Sequence, residues 1–149
     1  AGARVSTQVL DGGPLDEYGD AVIAEVGRAL ALRIAAMAKR PTGIVALNDL
    51  MALGLMAGLR EAGLEVPRDL SVVGIDGHFI AALANPVLTT VQLPVPQMAA
   101  AMVERVMNPH PDSQTPESLR VFAPLRLLEG GSVAPPPREA VAARTRAKA

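Results

Sequence analysis

The sequence predicts an α/β fold, a parallel sheet between helices in a three-layer sandwich, and three observations predict it. Residues 43–47 (GIVAL) and 71–75 (SVVGI) are apolar at successive positions, the pattern of strands buried on both faces. Around them lie Ala-, Leu- and Met-rich segments with helical spacing of apolar residues. The order strand, helix, strand, helix, strand, turn, strand, helix, strand leaves only short connections, as parallel crossovers require. Because both apolar strands lack a polar face, helices are expected to cover both sides of the sheet.

Each element follows from local chemistry. Residues 4–10 (RVSTQVL) alternate well enough for a first strand, and Asp11-Gly12-Gly13-Pro14 turns the chain. Residues 20–39 have the composition of a helix. Val22, Val26, Ala29, Leu30, Ile34 and Met37 recur near helical spacing, and Glu25, Arg28 and Arg33 supply a wetter face. Asp20 is placed to cap its start, and Arg40-Pro41 ends it. After the 43–47 strand, Asn48-Asp49 leads into a second helix closed by Gly63. Gly54 and Gly58 weaken that helix by propensity and admit another element at close range. A loop through Pro67 reaches the 71–75 strand, which ends at Asp76-Gly77-His78, where Gly77 permits a positive φ. Residues 79–83 form a helical turn stopped by Asn85-Pro86. Residues 88–93 (LTTVQL) read as a strand, and 96–107 as a third helix starting next to proline. A polar loop, 108–117, precedes a last strand at 119–128, in which Pro124 marks an edge or bulge. Residues 135–149 carry a charge of +3 and are expected to form a flexible basic tail, which sets the domain at 1–134.

Composition removes most function classes. A chain of 149 residues is the size of one domain. Its formal charge of −1 gives no global field for a polyanion. Without cysteine there is no disulfide scaffold, zinc–thiolate site, iron–sulfur cluster or thiol chemistry. Tyr18, Phe79 and Phe122 are too few aromatics for a base-stacking platform. No apolar run is long enough and uncharged enough to span a membrane, and no signal peptide is visible. The chain also lacks an initiator methionine, so it is read as a fragment or a processed product. His78 and His110 are the only histidines, and neither faces a nucleophile in a pattern that hydrolysis needs. Phosphate-loop, dinucleotide, zinc-protease and nucleophile-elbow motifs are missing, as is metal-ligand spacing. The expectation is a protein with no catalytic residues, no metal and no cofactor.

Binding is better supported. In open parallel sheets, ligands sit beyond the carboxyl ends of the strands. Asn48-Asp49 and Asp76-Gly77-His78 stand directly after the two apolar runs. Asn48 and Asp76 together offer acceptors and two amide donors, a set suited to sugar hydroxyls or another polar small molecule. Asp49, starting a helix, reads as its cap. Asp76 has a second reading, in which it closes a turn through neighbouring amides.

Three stretches carry a resemblance: RPTGIVALNDLMALG (40–54), LREAGLEVPRDLSVVGIDG (59–77) and NPVLTTVQLP (85–94). Together they resemble the effector-binding domain of the LacI/GalR family of bacterial transcription regulators. The spacing holds from Gly27 to Pro96 and more loosely to Pro136. The resemblance implies a periplasmic-binding-protein-like type I fold of two α/β subdomains with the ligand between them. This chain resembles the C-terminal subdomain, so the 96–107 helix is expected to pack with the first subdomain. By the same resemblance Asn48 and Asp76 bind effector, Asp49 starts its helix, and Leu53 and Ala84 lie at a dimer interface. Departures stand at Val22 and Ile23, where the family often has an aromatic residue, and at Gly77, where a second acid is common. A third is Gly130, where an arginine is common. The implied function is the cytoplasmic, small-molecule-sensing half of a homodimeric regulator. Its effector would be a sugar or nucleoside held across the cleft, and DNA would be reached only through an N-terminal head outside this sequence. The alternative is part of a periplasmic sugar-binding protein of the same fold.

Overall fold

The computed structural model describes residues 5–12, 20–108 and 123–137, with the side chains of 20–22 excepted. Its elements are α1 (Asp20–Ala35), β1 (Gly43–Val45), α2 (Asp49–Glu61), β2 (Ser71–Asp76), a 3₁₀ turn (Phe79–Leu83), β3 (Thr89–Gln92), α3 (Val95–Met107) and β4 (Arg126–Leu128). One sheet runs β1-β2-β3-β4; the first three strands are parallel and β4 is antiparallel to β3. The α/β class stands, with a mixed rather than wholly parallel sheet. β4 comes back along β3 in the opposite sense.

The core forms where α1, α2 and β2 meet. Val72, Ala52, Leu59, Ile34 and Ala31 are fully or almost fully buried there. α1 lies along α2 at very short range. A Cβ on Gly54 would run into the Ala24 carbonyl, and one on Gly27 into the Met51 carbonyl. On Gly58 it would stand 2.7 Å from the Ala31 Cβ. The glycines therefore give the close approach that the sequence suggested. Gly63 also behaves as read: at φ +79 it follows the cap residue Ala62, donating to the Arg60 carbonyl while Leu64 donates to that of Leu59.

A third contact closes the sheet at the amino end of β2. Ser132, fully buried, donates its hydroxyl to the Val72 carbonyl at 2.6 Å and accepts the Thr89 amide at 2.8 Å. The Val72 amide donates to the Ser132 carbonyl, and the Ser71 hydroxyl bonds the backbone of Ala134. The segment thus continues the sheet where β3 has not yet begun. Gly130 passes so near Val87 and Leu88 that a Cβ would lie 2.8 Å from the Leu88 carbonyl carbon, which accounts for its place in this chain.

Some expectations need correction. Residues 5–10 are not a strand: they carry no ladder among the described residues, and Val5 and Val9 are 77 % and 93 % exposed. Alternation alone does not make a strand without a neighbour to take its backbone groups. Helices do not cover both faces of β1 among the described residues, for Val45 on this edge strand is 71 % exposed. α1 stops at Ala35 rather than at residue 39, and its end tightens through Met37 donating to the Ile34 carbonyl. The last strand shrinks to Arg126–Leu128, with Pro124 left outside it. Asp20's side chain, residues 109–122 with His110 and Phe122, Tyr18 and the tail from 138 lie outside the described residues.

Candidate functional site

β1 and β2 are adjacent and parallel, so Asn48 and Asp76 stand at the carboxyl ends of neighbouring strands. Asn48 has extended backbone angles, φ −152 and ψ 174, and its side-chain oxygen accepts the Met51 amide at 2.8 Å. Asn48, not Asp49, is therefore the cap of α2, and the cap assignment of Asp49 is corrected. A cap must be extended and reach the third helical amide, and only the first of the two neighbours is placed to do so. The cap uses the amide oxygen alone. The Asn48 NH₂ keeps both donors, with no hydrogen-bond partner among the described residues.

Asp49 turns inward instead. It is wholly buried and accepts the Thr90 hydroxyl at 2.5 Å and the His78 amide at 2.7 Å. The Thr90 oxygen accepts in turn from the Gly77 amide at 3.3 Å. One carboxyl group thus ties the start of α2 to β3 and to the turn after β2. Thr90 was not legible as a site residue, since its partner is 41 positions away. Ser132 was missed for the same reason.

That turn sets the geometry of Asp76. Its φ is +117, unusual for any residue with a side chain, and Gly77 follows at +71. At Gly77 a Cβ would lie 2.7 Å from the Gln92 Cα, so a second acid has no room there. The Asp76 carboxylate is exposed and has no hydrogen bond or ion pair among the described residues. Partial desolvation pushes its carboxyl above the ordinary value, and the Asp49 carboxylate adds to this, while His78 opposes. Strained backbone and perturbed acids cluster at functional positions in proteins. His78 has a structural role in the same turn. Its Nδ1 accepts the Ile80 amide at 3.3 Å, and its ring lies 4.7 Å from that of Phe79.

Register extends the rim. Asp76 pairs with Gln92 on β3, and Gln92 with Arg126 on β4. Sequence reasoning missed both. Gln92 was findable by the same carboxyl-end rule that selected Asn48 and Asp76. Arg126 was not, since nothing in the sequence shows that β4 runs antiparallel. A cavity of about 330 Å³ opens beside them, lined by Gln92, Gln97, Arg126 and three prolines, Pro94, Pro96 and Pro124. On another side of the domain, Leu53 and Ala84 border one depression of about 380 Å³ together with Met56, Arg60 and Pro86. Among the described residues no three metal-ligating side chains cluster, and no helix is long and apolar enough to cross a membrane.

Fold and rim define an α/β module with polar side chains converging at the carboxyl ends of parallel strands, where such sheets take ligands. Residues 4–133 match the periplasmic binding protein-like domain model. The HTH-type transcriptional regulator MalR of Streptomyces coelicolor is 39 % identical over 95 residues, 64 % of this chain and 28 % of that protein. A LacI family transcriptional regulator from Lactobacillus casei, solved with bound sucrose, superposes with a TM-score of 0.61 at 30 % identity. The match covers 74 % of this chain and 40 % of that one. One from Arthrobacter sp. FB24, in complex with lactose, gives 0.62 at 29 %, covering 74 % and 42 %. The chain belongs to the periplasmic binding protein-like domain family, as the C-terminal portion of the effector-binding domain of LacI/GalR-type transcription regulators. It spans about 28 % of the length of the curated relative MalR.

Proposed function

We propose that this chain forms one wall of the cleft in which a transcription regulator senses a hydroxylated small molecule. The observation that carries the reading is the rim: Asn48 and Asp76 at the ends of adjacent parallel strands, Asp76 strained, exposed and without a partner among the described residues. The carboxylate accepts hydroxyl hydrogens, and the Asn48 amide donates while its oxygen holds the helix. Sucrose and lactose in the two related structures are ligands of this chemistry. The regulator reading is favoured over a periplasmic binding protein because the relatives named above are transcription regulators. The response reaches DNA through a head outside this sequence, and the protein works in the cytoplasm as a homodimer through the Leu53 and Ala84 face. α3 buries none of its residues, which suits packing against the first subdomain.

Loss of one buried hydrogen-bond partner costs about 1–3 kcal/mol, roughly tenfold to a hundredfold in affinity. The experiment is calorimetry on the full-length protein with sucrose, lactose, glucose and a nucleoside panel, comparing parent with Asp76→Ala and Asn48→Asp. The second variant keeps the cap oxygen and removes the amide donors. Weaker binding in both is expected. Equal binding by a folded Asp76→Ala protein removes Asp76 from the site.

A further inference from the structure

We propose that Gln92 and Arg126 extend this rim into a subsite for an anionic group, so that the effector is a hydroxylated molecule bearing a carboxylate or a phosphate. The inference rests on the sensing function proposed above and adds the ligand's charge. The pairing Asp76↔Gln92↔Arg126 places a carboxylate, an amide and a guanidinium in one row across three strands. Directly paired residues project to the same face of a sheet. It is also the face of β3 on which Thr90, two residues before Gln92, meets Asp49 at the start of α2. The row therefore rises on the side where Asn48 caps that helix.

Asp76 and Arg126 stand two strand spacings apart, roughly 9–10 Å, too far for a direct ion pair. Neither side chain has a hydrogen bond or ion pair among the described residues. A ligand that bridges them meets an acceptor-only group at one end and a donor-only group at the other. The guanidinium fork matches two oxygens of a carboxylate or phosphate, which a neutral hydroxyl cannot reproduce. Gln92 in the middle donates and accepts. The adjoining cavity of about 330 Å³ has polar contributions from Gln92, Gln97 and Arg126 alone among its lining side chains. Its remaining walls are Leu93 and the three prolines, whose fixed φ angles reduce the ordering that binding requires.

The test is calorimetry on the full-length protein at low salt with glucose, glucose 6-phosphate, gluconate and inorganic phosphate. One of the two charged sugars is expected to bind at least roughly tenfold tighter than glucose, and which one does so separates phosphate from carboxylate. Arg126→Gln, checked for an unchanged thermal midpoint, should bring that sugar down to the affinity of glucose, and Arg126→Lys should keep part of the preference. Equal binding of glucose and both charged sugars, with Asp76→Ala still weakening glucose, overturns the anionic subsite and leaves the sensing function standing. A preference that vanishes with Arg126→Gln but ignores Asp76→Ala does the reverse. Inorganic phosphate binding as tightly as glucose 6-phosphate, or no binding by any probe, also overturns it.

Discussion

Asp49 carries a heavy structural duty, because two donors from distant parts of the chain depend on it. Asp49→Ala leaves the Thr90 hydroxyl and the His78 amide without their acceptor, and each such loss costs about 1–3 kcal/mol. Urea unfolding should show a loss of about 3 kcal/mol, while Thr90→Val, which takes one of the two donors from Asp49 and the acceptor from the Gly77 amide, should cost about 1–3 kcal/mol. A near-neutral Asp49→Ala would show that the inward carboxyl group is dispensable. Asp76 has the opposite effect on stability. Its raised value means that the folded protein holds the proton more tightly than the unfolded chain does. Ionised Asp76 therefore weakens the fold at neutral pH, and that penalty fades as pH falls through the raised value and is gone below the ordinary carboxyl range. Asparagine tolerates a positive φ, so Asp76→Asn isolates the charge. The variant should be more stable than the parent at pH 7 and indistinguishable from it in acid; a gain that persists in acid would refute the electrostatic cause. These two acids also show where sequence reading stops. The carboxyl-end rule found the rim positions, because it needs only local pattern. It could not divide the roles of Asn48 and Asp49, since an inward turn toward Thr90 is a tertiary fact.

Among the elements, α1 and α2 define the domain by how closely they touch. Gly→Ala in an exposed helix is favourable by roughly 1 kcal/mol. At Gly54 the new methyl would enter the Ala24 carbonyl, so Gly54→Ala should instead destabilise by about 2 kcal/mol, in the range of overpacked cores. Gly63→Ala meets nothing within 4 Å but keeps φ at +79. It should cost only about 1–2 kcal/mol, the strain of the left-handed conformation. Guanidinium denaturation of both variants separates clash from strain, and a stabilised Gly54→Ala would mean that the helices stand further apart. Helix period and apolar runs made α1, α2, β1, β2, β3 and α3 legible, because burial on a repeating face writes itself into residue order. Residues 5–10 carry the same kind of pattern without the outcome. A strand is defined by its neighbour's backbone, which no pattern within the segment encodes. β4 was half visible for a related reason: the expected strand, 119–128, contains Arg126–Leu128, but its direction and its short length depend on β3.

At the scale of the whole molecule, charge and apolar surface point to different partners. The tail holds +3 of the chain's −1, leaving −4 on the remainder. The chain alone should therefore give no sequence-specific gel shift at physiological salt, only weak attraction that fades as salt rises; a specific shift would contradict the division of labour with a separate head. Association is expected through the depression that Leu53 and Ala84 share. Those two positions come from different elements, one from α2 and one from the residue after the 3₁₀ turn, and the fold brings them to one surface. Leu53 is only partly buried by its own chain, so it has apolar area left for a second copy. Arg60 and Glu65 flank the same depression. A two-fold contact returns each patch to itself, so opposite charges on one patch meet their complements across the axis. Leu53→Arg would place an unpaired charge at the centre of that contact, where burial without a partner is costly. Light scattering should find a dimer for the full-length parent and a smaller species for the variant at equal concentration. Ala84→Glu should act in the same direction from the other element. Retention of the dimer by both variants, or a parent that stays monomeric at high concentration, would remove this face from the assembly.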